Sequence, residues 1–156
     1  MTLMETFALV SFSLFSYADL RYRLVPGIEV FLLGTILLTF PVTPIQTGIV
    51  LLACLWSIFR NLSGWFAIPL LFYPPVWPVL FTGYGYRKSI IGRADLLAIS
   101  GLACLFPLPA VLLSLLGLEL WRRLWIRRQQ GNIPALPGLL LGLIVYLLLR
   151  LFLPTP

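Results

Sequence analysis

The chain has 156 residues, of which 60% are apolar and only 10% charged, with a formal net charge of +6 and no histidine. These values suit a single domain dominated by hydrocarbon-compatible segments and leave no room for a sizeable soluble core. They also exclude His-based chemistry, and the basic excess reads as cytoplasmic loop charge on a membrane protein, not as a nucleic-acid patch.

Apolar stretches of ~17–25 residues read as membrane-spanning helices. Six can be drawn here, over 3–19, 27–42, 44–61, 89–106, 109–126 and 134–153. The expected fold is therefore all-α, a polytopic transmembrane bundle forming one membrane-embedded domain over 1–156. The first span, apolar from Phe7 to Phe15, lacks a basic stretch before it, and is expected to be a retained helix, not a cleaved signal.

Prolines punctuate the later elements. Pro26 precedes the second span, Pro41 and Pro44 divide the second from the third, Pro107 and Pro109 divide the fourth from the fifth, and Pro134 and Pro137 open the sixth. A proline in the first helical turn is tolerated because its missing N–H would have no partner there. The third span is followed by residues 64–82, apolar enough to cross but interrupted by Pro69, Pro74, Pro75 and Pro78. If this stretch does not cross, Arg21, Arg23, Arg60, Arg87, Lys88, Arg93, Arg122, Arg123, Arg127 and Arg128 fall on one side, leaving Arg150 near the other. Crossing would split the basic residues between the faces, against the positive-inside tendency. A re-entrant or interfacial element is therefore expected, buried in protein or lining a wet groove. In the fifth span, Glu119 precedes Arg122 and Arg123 by three and four residues, the spacing of a helical ion pair. The arginines and tryptophans of 121–132 suit a helix end in an anionic headgroup region. Tyr17, Tyr84 and Tyr86 fit an inner aromatic belt.

Cys54 and Cys104 have no Cys or His neighbour at metal spacing and read as buried small hydrophobes, so neither a metal nor another cofactor is expected. The acidic side chains number five: Glu5, Asp19, Glu29, Asp95 and Glu119. Only two are aspartates. Asp19 ends the first span, and Asp95 lies about two turns into the fourth, counted from Ser89, so both fall on the cytoplasmic side. A carboxylate at the centre of a membrane helix costs roughly 2.5–3.5 kcal/mol on insertion scales. Two nearby carboxyls share a proton, and such a pair can deprotonate water while polarising a carbonyl. Small residues before Asp95, Gly92 and Ala94, permit close approach of a helix or substrate. On the residues alone, three roles stay open for the aspartates: a catalytic pair, structural ion pairing, and cation transport. Arg93 has two readings, holding the acid or substrate, or snorkelling to headgroups. Glu29 reads as interfacial or as a contact for a basic substrate residue.

The string SYADLRYRLVP (16–26) resembles the first motif of type IV prepilin peptidases, polytopic aspartic proteases of prokaryotic membranes. GRADLLAISGLACLFP (92–107) resembles their second motif, and with NIPALPGLLLG (132–142) is most similar to the archaeal preflagellin/prepilin branch. The similarity covers most of the chain in order, with 64–82 the least matched part. It implies a membrane aspartic endopeptidase that removes the short basic leader of prepilin-like precursors at the cytoplasmic face of the cell membrane, with Asp19 and Asp95 as its catalytic pair. The partners so implied are those precursors and the lipid bilayer, with no nucleic acid. Three departures stand out. The usual Pro-Asn after the first motif is Pro26-Gly27, the second Gly of the second motif is Ala94, and the cysteine-bearing region linked to N-methylation is absent, which argues against methyl transfer. The first two replace no acid. The alternatives are a small ion-coupled transporter, a non-catalytic assembly subunit of the same fold, and a protease cutting within the substrate's membrane helix.

Overall fold

In the computed structural model, which describes residues 2–41, 44–59, 72–128 and 133–152, all regular structure is helical. The first helix, α1 (Leu3–Tyr22), begins with a capping box. The Glu5 N–H donates to Thr2 Oγ1 at 3.2 Å and the Thr2 N–H donates to Glu5 Oε2 at 2.7 Å, so two orphan donors of the helix start are satisfied reciprocally. It continues past the expected end at 19 and stops at Arg23, whose φ of 56° turns the backbone left-handed. α2 (Ile28–Thr39) follows, then α3 (Pro44–Ile58), each bounded by the prolines that the sequence places there.

The Pro-rich region requires a correction. Residues 64–71 lie outside the described residues, but the remainder of 64–82 is not merely broken backbone. A single 3-10 turn, Pro74–Val76, leads into a regular helix, α4 (Trp77–Arg87), with Pro78 in its first turn. Proline breaks a helix it falls inside but suits one it begins, so the last of the four prolines starts an element instead of ending one. After α4 the chain turns sharply. Ser89 adopts φ 60°, and the N–H groups of Ile90 and Ile91 both donate to the Gly85 carbonyl. This turn delays α5 (Arg93–Leu105), so Asp95 stands in its first turn and not two turns in. α6 (Leu108–Arg128) and α7 (Leu136–Phe152) complete the order.

The contacts gather into two compact units, Met1–Pro26 with Pro109–Pro156, and Gly27–Leu108. In the second unit α5 is central, packing on α2, α3 and α4. Every residue of α5 from Leu96 to Cys104 is buried. The Phe31 ring lies over Gly101 and the Trp56 indole over Gly83, leaving no space for a Cβ at either glycine. In the first unit α1 packs against α7, and α6 meets α7 through glycines. A Cβ on Gly142 would fall 2.1 Å from the Leu113 carbonyl oxygen, and one on Gly117 would fall 2.5 Å from that of Gly138. Backbones this close are the packing that small residues permit between apolar helices.

Buried hydroxyls are mostly satisfied inside their own helices. Thr35, Thr39, Thr82, Ser100 and Ser114 each donate to the carbonyl four residues earlier. The outer faces are aliphatic and aromatic: Leu3, Val10, Leu14, Val30, Leu37 and Phe81 are all largely exposed. α1 is the one described helix long and apolar enough to cross a membrane by itself, while Ile28–Thr39, Thr47–Ile58 and Leu136–Phe152 are shorter apolar helices.

Candidate functional site

Asp19 occupies the last turn of α1, in the first unit, and is partly buried. Its Oδ2 accepts a hydrogen bond from the Leu136 N–H at 3.1 Å, and the neighbouring Ala135 backbone also donates to it. The reason lies in the start of α7. The residues before Leu136 are Ile133, Pro134 and Ala135, none of which has a side-chain acceptor. A helix start without its own cap leaves N–H groups unsatisfied. Asp19 supplies the missing acceptor from another helix, and the geometry of its carboxylate is set by where α7 begins.

Around Asp19 the sequence basic residues are engaged, not merely solvated. Arg23 donates its N–H to the Asp19 carbonyl at 3.2 Å, while its guanidinium stacks 5.0 Å from the centre of the Trp125 ring. Arg21 donates to the Tyr17 hydroxyl and lies over the Tyr22 ring. Trp125 in turn pairs with Trp121, their ring centres 5.8 Å apart. One turn before Asp19, the buried Ser16 hydroxyl has no hydrogen-bond partner among the described residues; nor do the buried indole N–H groups of Trp121 and Trp125. From the sequence, Trp121 and Trp125 are expected only as part of a helix end in the headgroup region, and Ser16 has no role of its own. The run of arginines beside tryptophans was visible, but its contacts were not.

Asp95 belongs to the second unit. It is the third residue of α5, and its Oδ2 accepts the Gly92 N–H at 3.3 Å. This is half of a capping box, because Gly92 has no side chain to return the bond. Arg93, next to the helix start, reaches Glu29 in the first turn of α2, at 3.4 Å. This contact is additional to the two readings that the sequence gives for Arg93. Arg93 and Glu29 join two helix starts across the outside of the unit, with both side chains more than half exposed. Gly27 caps α2 with φ 79°. Glycine visits this left-handed region at no steric cost, which suits it to the start of α2.

The predicted Glu119 ion pair is present. Arg122 meets its carboxylate with two N–H groups at 2.7 and 2.8 Å, and Arg123 adds one at 2.9 Å. Glu5 and Arg150 form a pair that sequence reading did not join. The capping signature Thr2-x-x-Glu5 was available to flag Glu5. Cys54 and Cys104 are free thiols.

Both aspartates therefore share a chemical setting, a carboxylate hydrogen-bonded to the N–H of a helix start. A carboxyl group is the kind of side chain that acid/base work on water and a carbonyl requires. Comparison with family models, with characterised proteins and with solved structures finds no match to this chain.

Proposed function

We propose that the chain is a multi-pass aspartic endopeptidase of the cytoplasmic membrane that removes the short basic leader of prepilin-like precursors. The carrying observation is that its only two aspartates both stand in terminal helical turns, each with its carboxylate fixed by a helix-start N–H. The resemblance of the two flanking motifs to the prepilin peptidases supplies the substrate class. Membrane embedding is supported by the apolar outer faces and by the length of α1; the shorter helices complete the bundle in this reading.

In the proposed reaction one of Asp19 and Asp95 is ionised and the other protonated. The ionised carboxyl takes a proton from water as its oxygen bonds to the scissile carbonyl carbon, while the protonated carboxyl donates to the carbonyl oxygen. As the tetrahedral intermediate collapses, the C–N bond breaks, the leaving amine takes the proton first removed from water, and the former carbonyl oxygen returns its proton to the carboxylate that donated it as C=O re-forms. The substrate must be extended at the cut, because a helical peptide bond is shielded. The test is cleavage of a prepilin-like precursor by purified enzyme in liposomes. Asp19→Asn and Asp95→Asn are each expected to lose about 100-fold or more, the usual contribution of a positioned acid or base. Full activity in either variant defeats the proposal, and cation-driven uptake without any cleavage points instead to a carrier.

A further inference from the structure

At the far end of α1 from Asp19, about 21 Å away at 1.5 Å per residue, the first unit holds a pocket of about 490 Å³ between α1 and α7. Its walls are aliphatic, with Leu9 facing Ile144, Leu147 and Leu148, and its polar edge is the Glu5–Arg150 pair. Glu5 is 7% exposed and fully engaged: Oε2 takes the Thr2 N–H and Oε1 takes Arg150. Arg150 is different. One guanidinium nitrogen meets Glu5, yet half of the side chain remains exposed, and a guanidinium has five N–H donors in a fixed fork. The pocket thus presents a cation whose partner is buried behind it, at the mouth of an apolar trough. Leu3, Leu151 and Phe152, at the ends of the two helices, are 74–80% exposed and continue the apolar surface around it.

We propose that this pocket is a binding site for one phospholipid of the bilayer, its phosphate on Arg150 and one acyl chain along Leu9, Ile144, Leu147 and Leu148. A phosphodiester accepts the bidentate fork of arginine, and an acyl chain matches walls with no polar atom to satisfy. Glu5 acts as a brake, since the bond it takes from Arg150 competes with the phosphate. The inference rests on the membrane-embedded part of the reading above and is independent of its protease part.

The two charged residues therefore predict changes of opposite sign. The full chain is purified in detergent, phosphatidylglycerol is added, and the bound lipid is counted by native mass spectrometry. Arg150→Gln is expected to retain about ten-fold less lipid than the parent, as loss of a charge-assisted bond implies. Glu5→Gln is expected to retain more, because the guanidinium is released. Leu147→Trp fills the trough without touching the ion pair and is expected to lose lipid while folding normally. Equal loss in Glu5→Gln and Arg150→Gln would show that the pair is only a brace between helices and would overturn the proposal. So would full retention in Leu147→Trp, or displacement of the lipid by millimolar inorganic phosphate, which would make this a free-anion site. Precursor cleavage measured on the same samples separates the two ideas, because the lipid site can fail while Asp19-dependent and Asp95-dependent cleavage persists.

Discussion

Asp95 completes the turn it belongs to, whereas Asp19 completes a turn that begins 117 residues further along the chain. The first arrangement needs only α5 to form, since the N–H of Gly92 and the carboxylate of Asp95 are three residues apart. The second needs α1 and α7 to fold and dock in register before the Leu136 N–H meets its acceptor. Two acids with the same proposed chemistry thus depend on the fold to very different degrees. The Gly92 bond of Asp95 is a local device, and the Leu136 bond of Asp19 reports on how α7 is seated.

Chemistry should hide this difference and stability should expose it. Asp19→Asn and Asp95→Asn both keep an oxygen acceptor for the helix-start N–H, so each is expected to remain folded and to lose activity by about 10²–10⁴-fold, measured by precursor cleavage. A loss confined to Asp95→Asn would break the symmetry and leave Asp19 as a structural cap.

The next largest effect concerns the seat of α7. Gly142→Ala places a Cβ 2.1 Å from the Leu113 carbonyl oxygen and 2.5 Å from the Ser114 Cα, where only backbone can give way. The helices must part, and a loss of about 1–3 kcal/mol in unfolding free energy is expected. Cleavage should fall with it, because α7 carries the N–H that holds Asp19. Gly48→Ala, in α3 of the other unit, meets nothing within 4 Å and is expected to be neutral or to stabilise by about 0.5–1 kcal/mol. Equal behaviour of the two alanine variants in a thermal unfolding assay would mean that α7 seating does not matter.

A smaller contrast separates the two carboxylates themselves. Asp19→Ala leaves the Leu136 N–H without its acceptor in a partly buried place, and about 1–3 kcal/mol should be lost. Asp95→Ala removes a bond to the exposed Gly92 N–H, which water can replace, so the loss of that bond contributes about 0.5 kcal/mol, the low end for a cap. Denaturant titration of both variants measures the difference directly.

The same contrast between local and distant contacts explains what could be read in the sequence. Apolar runs bounded by proline gave six helices, because burial and proline exclusion act on consecutive residues. The Glu119 pair was legible for the same reason, its arginines lying three and four residues away. The exact start of α5 was not, since it follows from Ser89 turning left-handed and from two N–H groups converging on Gly85. α4 is not legible in the sequence, because Pro78 reads there as an interruption and not as a first-turn residue. Asp19 and Asp95 were identified from their scarcity and their flanking strings, but the bond from Leu136 and the Glu5–Arg150 pair join residues at opposite ends of the chain. Nothing in local periodicity records such pairings; only the uncapped Ile-Pro-Ala before α7 hinted that an acceptor had to come from elsewhere.

The smallest predicted effect lies at Glu29 and Arg93, which tie α2 to α5 beside Asp95. Their 3.4 Å contact is more than half exposed on both sides, so the attraction is screened and two long side chains must be held for little return. Glu29→Gln and Arg93→Gln, alone or together, should each shift stability by less than about 1 kcal/mol. A double-mutant cycle in low and high salt measures their coupling. If the cycle shows a coupling well above that limit, or if Arg93→Gln alone lowers cleavage as much as Asp95→Asn, then the first turn of α5 does not hold the Asp95 carboxylate by the Gly92 bond alone. Its turn would depend on α2 through Arg93, as that of Asp19 depends on α7 through Leu136.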